Sequence, residues 1–209
     1  MEASAAGWKS YLNGDASAGD ALILKDNPEM TADLLAQAEH DTAAQSILIT
    51  DHAALADQVD KAVAAQLSTL PRTAVASASW RDYGATIVVK NLDDAVPLAD
   101  AIAAEHLEIE THDAERLAGK IRNAGAIFLG AYSPEAIGDY VAGSNHVLPT
   151  ARSARFSSGL GVLDFMKRTS ILKCGPDQLA SLGPSAIALG EAEGLDAHAR
   201  SVAIRLNRR

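Results

Sequence analysis

Four of the six histidines in this chain of 209 residues stand in polar contexts whose residue types suit chemistry rather than packing. The pairs are Gln37 with His40, Glu105 with His106, Asp139 with His146, and Glu193 with His198. Histidine titrates near neutral pH and is the commonest metal ligand. Imidazole, carboxylate and amide groups together can bind zinc or a similar divalent ion. Four such pairs, spread along the chain, predict a site that the fold assembles from distant segments.

The first two pairs each have a functional and a purely structural interpretation. Gln37 and His40 lie three residues apart near the end of a predicted helix, where one face could grip a metal. A histidine there also suits the negative end of the helix dipole. Glu105 and His106 could share acid and base catalysis, or they could be two solvated polar residues. Their place at the start of a predicted strand gives no support, because parallel sheets bind ligands at the carboxyl ends of strands.

The segment from Gly138 to Thr150 carries the most specific signal. It sets Asp139, Asn145 and His146 among glycines, which allow close approach of the backbone. The pattern of helices and strands breaks from residue 138 to residue 161, and a loop of this length in a compact domain is usually functional. We therefore predict a long functional loop.

The remaining histidines give weaker signals. Glu193 and His198 lie on either side of Gly194 in a helical tail, and by themselves they resemble surface residues. His52 follows a predicted strand at a helix start, and His112 lies in a predicted turn. We expect both of these to be solvated.

Short apolar runs alternate with segments of helical spacing along the first two thirds of the chain. The predicted strands are 21–24, 46–50, 85–89, 107–110 and 126–129, and the predicted helices are about 28–40, 52–69, 93–104 and 113–122. This alternation predicts an α/β fold with a Rossmann-like, mostly parallel sheet flanked by helices.

The domain organisation follows from the same pattern. We predict a weakly structured lead-in over 1–20, an α/β domain over 21–150, a connecting loop and strand over 151–175, and a helical tail over 176–209. The tail divides into helices over 176–192 and 195–206, with a break at Gly194. It could pack on its own sheet or reach a second subunit.

Composition excludes some classes of function. The net charge of −9 argues against nucleic acid as a partner, because phosphate binding needs clustered Lys and Arg. Cys174 is the only cysteine, so no disulfide framework is expected, and its apolar neighbours Ile171 and Leu172 predict that it is buried. No apolar run approaches the roughly 20 residues of a membrane span, and the N-terminus lacks signal-peptide features. We expect a cytoplasmic protein that does not bind membranes.

Five segments of the chain resemble histidinol dehydrogenases in order and spacing. They are Leu34–Asp41 (LLAQAEHD), Ala103–Glu108 (AAEHLE), Gly138–Thr150 (GDYVAGSNHVLPT), Phe156–Leu160 (FSSGL) and Glu193–His198 (EGLDAH). The resemblance extends from about residue 21 to the end of the chain. It implies a zinc enzyme of histidine biosynthesis that oxidises L-histidinol to L-histidine through the aldehyde, with two NAD molecules in succession.

The resemblance also implies a metal site with one zinc per subunit. Gln37, His40 and Asp139 resemble zinc ligands from one subunit. His198 resembles the fourth ligand, which the tail of the partner donates in a homodimer. The substrate is L-histidinol or another imidazole amino alcohol, whose nitrogen atoms are good zinc ligands.

Other positions resemble catalytic and substrate-binding residues. His106 resembles the general base of both oxidations, and Glu105 resembles the residue that activates water at the aldehyde stage. His146 and Glu193 resemble substrate contacts. His106, Asp139 and His198 also contact substrate in this interpretation.

The chain departs from the family pattern near its N-terminus. No glycine-rich phosphate turn after a strand occurs in residues 1–25, so no cofactor-binding residue is assigned. Residues 15–22 only loosely resemble the Ala-Gly-Pro-Ser-Glu stretch of the family, and its substrate-contacting serine is not transferred to Ser17. We expect the C-terminal half of the enzyme behind a foreign or eroded lead-in, without most of the NAD-binding part.

Three hypotheses follow from this departure. The chain could provide the zinc and acid–base half of a histidinol dehydrogenase, with activity that depends on a separate NAD-binding half. It could be a non-catalytic zinc- or imidazole-binding module. It could also be an inactive remnant that dimerises.

Overall fold

The computed structural model describes residues 18–24 and 31–206. The chain divides at Asp164 into two compact units. The first unit contains a parallel sheet with its helices, and the second contains two helices.

The first unit is built on five parallel strands. They are β1 (Ala18–Leu24), β2 (Ala44–Thr50), β3 (Ala85–Val88), β4 (His106–Glu110) and β5 (Ala126–Leu129). Their order across the sheet is β3-β2-β1-β4-β5, so the strand order reverses between β1 and β4. Parallel neighbours need long crossover connections, and helices supply them here. The predicted Rossmann-like α/β fold is confirmed.

Helices cover both faces of the sheet. They are α1 (Thr31–Ala38), α2 (Ala53–Leu67), α3 (Thr73–Tyr83), α4 (Ala95–Ile102), α5 (Ala114–Ala118) and α6 (Glu135–Tyr140). All seven residues of β2 are buried, as expected for a central strand covered on both sides. Leu48 packs with Leu34 of α1 on one face, whereas Ile47 and Ile49 pack with apolar residues of α4 on the other.

Strand β4 is apolar on one face only. Leu107 and Ile109 belong to the same core as Ile47 and Ile49. Successive side chains of a strand alternate between faces, so His106, Glu108 and Glu110 all point to the opposite face. The register aligns Glu108 and Leu48 with the same residue of β1. The three polar side chains of β4 therefore lie on the face that α1 covers.

Several elements differ from the prediction. Helix α3 was not predicted because its Ala, Ser and Thr residues give only a weak amphipathic pattern. Helix α6 occupies the start of the predicted loop, and α5 is shorter than predicted. Between residues 151 and 175 the structure contains only two 3-10 helices, Ser153–Arg155 and Val162–Phe165, so the expected strand is absent there. Residues 18–20 of the predicted lead-in begin β1. Residues 1–17 and the predicted start of the first helix at residue 28 lie outside the described part.

The second unit is an antiparallel helical hairpin. It consists of α7 (Pro176–Ala192) and α8 (Asp196–Arg205), and the predicted helices of the tail agree with it. Gly194 has a φ of 71°, a left-handed conformation that glycine adopts without steric cost. The backbone of Gly190 lies against Ala199, which brings the two helices close together.

The prediction that Cys174 is buried is wrong. Cys174 is exposed, and its neighbours Ile171 and Leu172 are exposed as well. The segment forms neither a helix nor a strand that could pack these side chains into a core. Among the described residues, no helix is both long enough and apolar enough to cross a membrane.

Candidate functional site

His106 is the first residue of β4, and its side chain is 5% exposed. Its ring lies 6.0 Å from the ring of Phe128, centroid to centroid, at an interplanar angle of 48°. The strand register explains this contact, because Phe128 on β5 pairs with Glu108 and so points to the same face as His106. The imidazole is therefore held on the polar side of β4 by an aromatic neighbour.

The carboxylate of Asp139 lies between two imidazole rings. Its Oδ1 is 3.6 Å from Nε2 of His106, and its Oδ2 is 2.5 Å from Nδ1 of His146. The side chain of Asp139 is 7% exposed, whereas that of His146 is 70% exposed. The three groups form a polar connection from the interior of the unit to its surface.

A second carboxylate approaches the same ring of His106. Oε1 of Glu135 lies 3.9 Å from Nε2 of His106. Glu135 and Asp139 are four residues apart on α6, which places them on one face of the helix. At these distances, the two carboxylates can balance the positive charge that an imidazole acquires when it accepts a proton.

Close packing of α6 on β5 positions both carboxylates. A Cβ atom on Gly138 would lie only 2.4 Å from Cε1 of Phe128, so only glycine allows this approach. The carbonyl of Gly138 also accepts a hydrogen bond of 2.8 Å from the Ser144 hydroxyl. The start of the loop is thereby tied to the helix that carries Asp139.

The loop that carries His146 is held by a second set of hydrogen bonds. The side chain of Asn145 donates to the carbonyl of Leu160 and accepts from the backbone N–H of Val147 at 2.8 Å. The backbone N–H of Leu160 donates to the carbonyl of Val147 at 2.9 Å. These bonds place the FSSGL segment beside His146, although the two motifs are separated in the sequence.

Glu105 is fixed at the entrance to β4. Its backbone carbonyl accepts a hydrogen bond of 2.9 Å from the N–H of Ala126, and the residue is half-buried. This backbone pairing fixes the chain immediately before His106. The role predicted for its side chain in activating water stays a prediction.

The first two predicted zinc ligands lie at the end of α1. Gln37 is buried, whereas His40 is exposed just beyond the helix, and its backbone N–H donates to the carbonyl of Gln37 at 3.1 Å. His and acidic side chains form clusters of three ligand atoms within 4.8 Å of one another in the described part of the chain. His40 belongs to none of these clusters. Their assignment as zinc ligands stays a prediction.

The other predicted residues of the tail lie in the second unit. Glu193 and His198 are exposed and flank the turn at Gly194. The backbone N–H of His198 donates to the carbonyl of Leu195 at 2.9 Å in the first turn of α8. Their roles in substrate and zinc binding stay predictions. His52 and His112 are exposed, as expected.

A second cluster of carboxylates lies on the same face of β4. It consists of Asp33 on α1 with Glu108 and Glu110 on β4, whose oxygen atoms lie within 4.8 Å of one another. Burial raises the pKa of Asp33. Burial, together with the negative charge of Asp33, raises the pKa of Glu110 to about 7.

Glu135 and the acidic cluster were not predicted from the sequence. Two signals could have revealed them. The alternation in the sequence His-Leu-Glu-Ile-Glu places both acids of β4 on the face of His106, and the spacing of four residues from Glu135 to Asp139 predicts one helical face. The two clusters are also connected, because the backbone N–H of Glu135 donates to Oε1 of Glu108 at 2.6 Å.

Comparison with known proteins identifies close relatives of the chain. The family model described as histidinol dehydrogenase matches residues 16–206. The histidinol dehydrogenase of Bradyrhizobium diazoefficiens is 72% identical over 196 residues, which span 92% of this chain and 46% of that protein. The histidinol dehydrogenase of Rhodopseudomonas palustris is 76% identical over 184 residues, or 88% of this chain and 43% of that protein.

A solved structure shows the same likeness. The crystal structure of histidinol dehydrogenase from Elizabethkingia anophelis matches with a TM-score of 0.70 and 35% sequence identity, over 91% of this chain and 44% of that one. The chain thus spans a little under half the length of the relatives it matches. The family model covers most of the chain, and the motifs around His106, Asp139 and His146 lie within the matched residues. The chain belongs to the histidinol dehydrogenase family.

Proposed function

We propose that this chain supplies the acid–base and metal-binding residues for the NAD-dependent oxidation of L-histidinol to L-histidine through the aldehyde. The observation that carries the proposal is the Asp139 carboxylate between buried His106 and exposed His146. General bases need an oriented ring and a path that returns the proton to solvent. This arrangement supplies both, in a chain whose relatives are named histidinol dehydrogenases.

His106 is the base in this proposal. NAD, when bound, would accept a hydride from the carbinol carbon in each oxidation. Nε2 of His106 takes the hydroxyl proton in the first oxidation. In the second stage, Glu105 takes a proton from water as its oxygen attacks the aldehyde. In the second oxidation, His106 has returned its first proton to solvent and takes a hydroxyl proton of the hydrate. Asp139 and Glu135 offset the charge on the imidazole ring after each transfer.

The donor groups of the chain fit a zinc ion. We assign Gln37, His40 and Asp139 to the zinc from one subunit and His198 to the zinc from its partner, with one zinc per subunit. An amide, two imidazoles and a carboxylate suit this metal, and the carboxylate of Asp139 is buried. When bound, zinc would orient the amino alcohol and polarise its oxygen.

The same proposal assigns a homodimer. His198 lies on the surface of the helical hairpin, where a second copy of the chain could reach it. Glu193, close to it across the turn at Gly194, and His146, exposed on the first unit, would contact the substrate. His106, Asp139 and His198 would contact it as well.

The dinucleotide is assigned to another part of the assembly. Residues 1–25 contain no glycine-rich phosphate turn, and the NAD-binding residues of the family would lie in the portion of the relatives that this chain does not match. We propose a cytoplasmic location. We also propose that the chain has no nucleic-acid partner, in keeping with the net charge of −9.

Formation of NADH tests the proposed reaction. The chain is mixed with zinc, L-histidinol and NAD, alone and with the N-terminal half of the Bradyrhizobium relative, and absorbance of NADH is followed. We expect a signal with the added half. If neither mixture forms NADH while the chain still binds histidinol, the chain is a non-catalytic zinc- or imidazole-binding module. Absence of bound zinc, measured by mass spectrometry, would leave an inactive remnant.

Replacement of His198 tests the shared metal site. We expect His198→Ala to lower zinc affinity without unfolding either unit, because the side chain is exposed in the chain alone. The matched control is His112→Ala, another exposed histidine. Zinc content and molecular mass are measured together. A monomer of the variant that holds zinc as tightly as the parent would contradict the assignment.

A further inference from the structure

The acidic cluster of Asp33, Glu108 and Glu110 has no part in the proposed reaction. Glu108 is 5% exposed and Glu110 is 7% exposed, and Asp33 is partly buried. Carboxylates removed from water in this way are costly unless a positive charge or hydrogen bonds compensate them. Three of them within 4.8 Å of one another repel each other as well. The backbone N–H of Glu135 donates to Glu108, so the need for further compensation concerns the other two acids.

Glu110 is the member of the cluster whose carboxylate most clearly lacks a hydrogen-bonding partner. Its Oε2 has no hydrogen-bond partner in the part of the chain that the structure describes. The side chain is more than nine-tenths buried, so bulk water does not replace the missing partner. One carboxylate oxygen of Glu110 lies within 4.8 Å of oxygen atoms of Asp33 and Glu108, so the carboxylate that carries the unsatisfied atom faces the cluster.

The position of the cluster in the fold is an independent argument for a ligand. Glu110 is the last residue of β4 and pairs with Leu24, the last residue of β1. The strand order reverses between these two strands. Open α/β sheets bind their ligands in the crevice at the carboxyl ends of such strands. In this sheet the crevice is lined by carboxylates, which repel phosphate and attract a cation.

We propose that Asp33, Glu108 and Glu110 form a binding site for a hard divalent cation of the Mg²⁺ or Mn²⁺ class. Ligands that are all carboxylate oxygens suit these ions better than they suit zinc, for which imidazole and thiolate compete. The site differs from the proposed zinc site in having no nitrogen donor. A bound cation would satisfy Oε2 of Glu110 and neutralise most of the repulsion within the cluster.

The raised pKa of Glu110 agrees with this site. A carboxyl group with a pKa of about 7 is partly protonated at neutral pH, and a cation must displace that proton. Metal affinity should therefore rise with pH across neutrality. Competition between proton and metal is expected for any site whose ligands must be ionised.

Titration with Mn²⁺, followed by the electron paramagnetic resonance signal of the free ion, tests the site on the full chain. We expect the parent chain to bind Mn²⁺ at the cluster and Glu110→Gln to lose affinity at least about tenfold, since removal of a charged ligand weakens such sites strongly. Asp139→Asn should leave this binding unchanged, because its side chain belongs to the other cluster. The matched control is Glu115→Gln, an exposed acid on α5.

Two results would overturn the site. One is that the parent chain binds no Mn²⁺ at about millimolar concentration. The other is that Glu110→Gln and Asp33→Asn both bind it as the parent does. If those variants fail to fold, the Asp139→Asn chain still decides, because it lacks a ligand of the proposed zinc site and a cation bound only by its folded state must raise its melting temperature. No rise in that melting temperature would overturn the site. These outcomes do not depend on whether histidinol is oxidised.

Discussion

The two ends of strand β4 carry different chemistry on the same face. At the amino end, His106 lies beside Asp139 and Glu135, and Asp139 contacts the exposed ring of His146. At the carboxyl end, Glu110 lies in a cluster of oxygen atoms, and its Oε2 is unsatisfied among the described residues. One end combines nitrogen with oxygen and is connected to the surface. The other contains oxygen donors only.

This contrast indicates how one strand could serve two purposes. An imidazole supported by carboxylates can move protons near neutral pH. A group of buried carboxylates cannot easily do so, since each charge raises the cost of the next, but it can hold a cation. The family resemblance accounts for the amino end of β4 and not for its carboxyl end.

Replacement of His106 should give the largest effect on activity, and it should affect only the chemistry at the amino end of β4. We expect His106→Asn to lower kcat by roughly 10²–10⁴-fold in the assembly that forms NADH, the usual contribution of a general base. Binding of Mn²⁺ by the chain should not change. The control is His52→Asn, an exposed histidine outside both clusters. Equal loss of activity in both variants would show that His106 is not the base.

The substitution Gly138→Ala should disturb packing at the amino end of β4 and leave Mn²⁺ binding at its carboxyl end intact. In Gly138→Ala the new Cβ would meet Phe128 at 2.4 Å, so we expect a loss of about 1–3 kcal/mol in the free energy of unfolding, the usual cost of overpacking. Urea unfolding measures it. Activity should fall too, because α6 carries Asp139 and Glu135, whereas Mn²⁺ binding should persist in the folded protein.

The control for this prediction is Gly119→Ala. Gly119 has a φ of −61° and room for a Cβ atom at 3.4 Å from its nearest neighbour. Its effect on stability should stay within about 0.5 kcal/mol. A Gly138→Ala variant as stable as this control would mean that α6 does not need its close contact with Phe128.

The pH dependence of stability tests the carboxyl end. Folding raises the pKa of Glu110 from 4.5 to about 7, so the folded chain binds a proton that the unfolded chain has released between these values. Stability should therefore fall as the pH rises from about 4.5 to about 7. Glu110→Gln mimics the protonated side chain and should remove this part of the decline. Urea unfolding in the presence of a chelator measures it, with Glu115→Gln as the control.

The opposite trend would contradict this account of Glu110. If Glu110→Gln is less stable than the parent chain above pH 7, the ionised carboxylate must have a favourable partner in the folded state. The expected difference grows with pH and disappears in acid, where both chains carry a neutral side chain at this position.

Sequence patterns predicted most of the sheet because buried parallel strands are continuous apolar runs. The run from Ser46 to Thr50 is an example, whereas β4 alternates between apolar and polar residues. Helix α6 was missed because Gly138 lowers helix propensity, and its glycine is explained only by contact with Phe128 on another strand. Such a tertiary reason cannot be read from local composition.

The candidate site was predictable in part. The motifs identified His106, Asp139 and His146, and the structure brings these three together. Glu135 carries no signal of its own until α6 is known. The prediction for Cys174 failed because an apolar neighbourhood in sequence does not provide a surface to pack against.

The alternation of side chains in β4 also has a consequence for folding. A slip of one residue in the pairing of this strand would exchange its two faces. Glu108 and Glu110 would then enter the apolar core now filled by Leu107 and Ile109, at a cost of several kcal/mol for each buried charge. The acids of β4 thus penalise misaligned sheets, and they select one register even before any ion or substrate is bound.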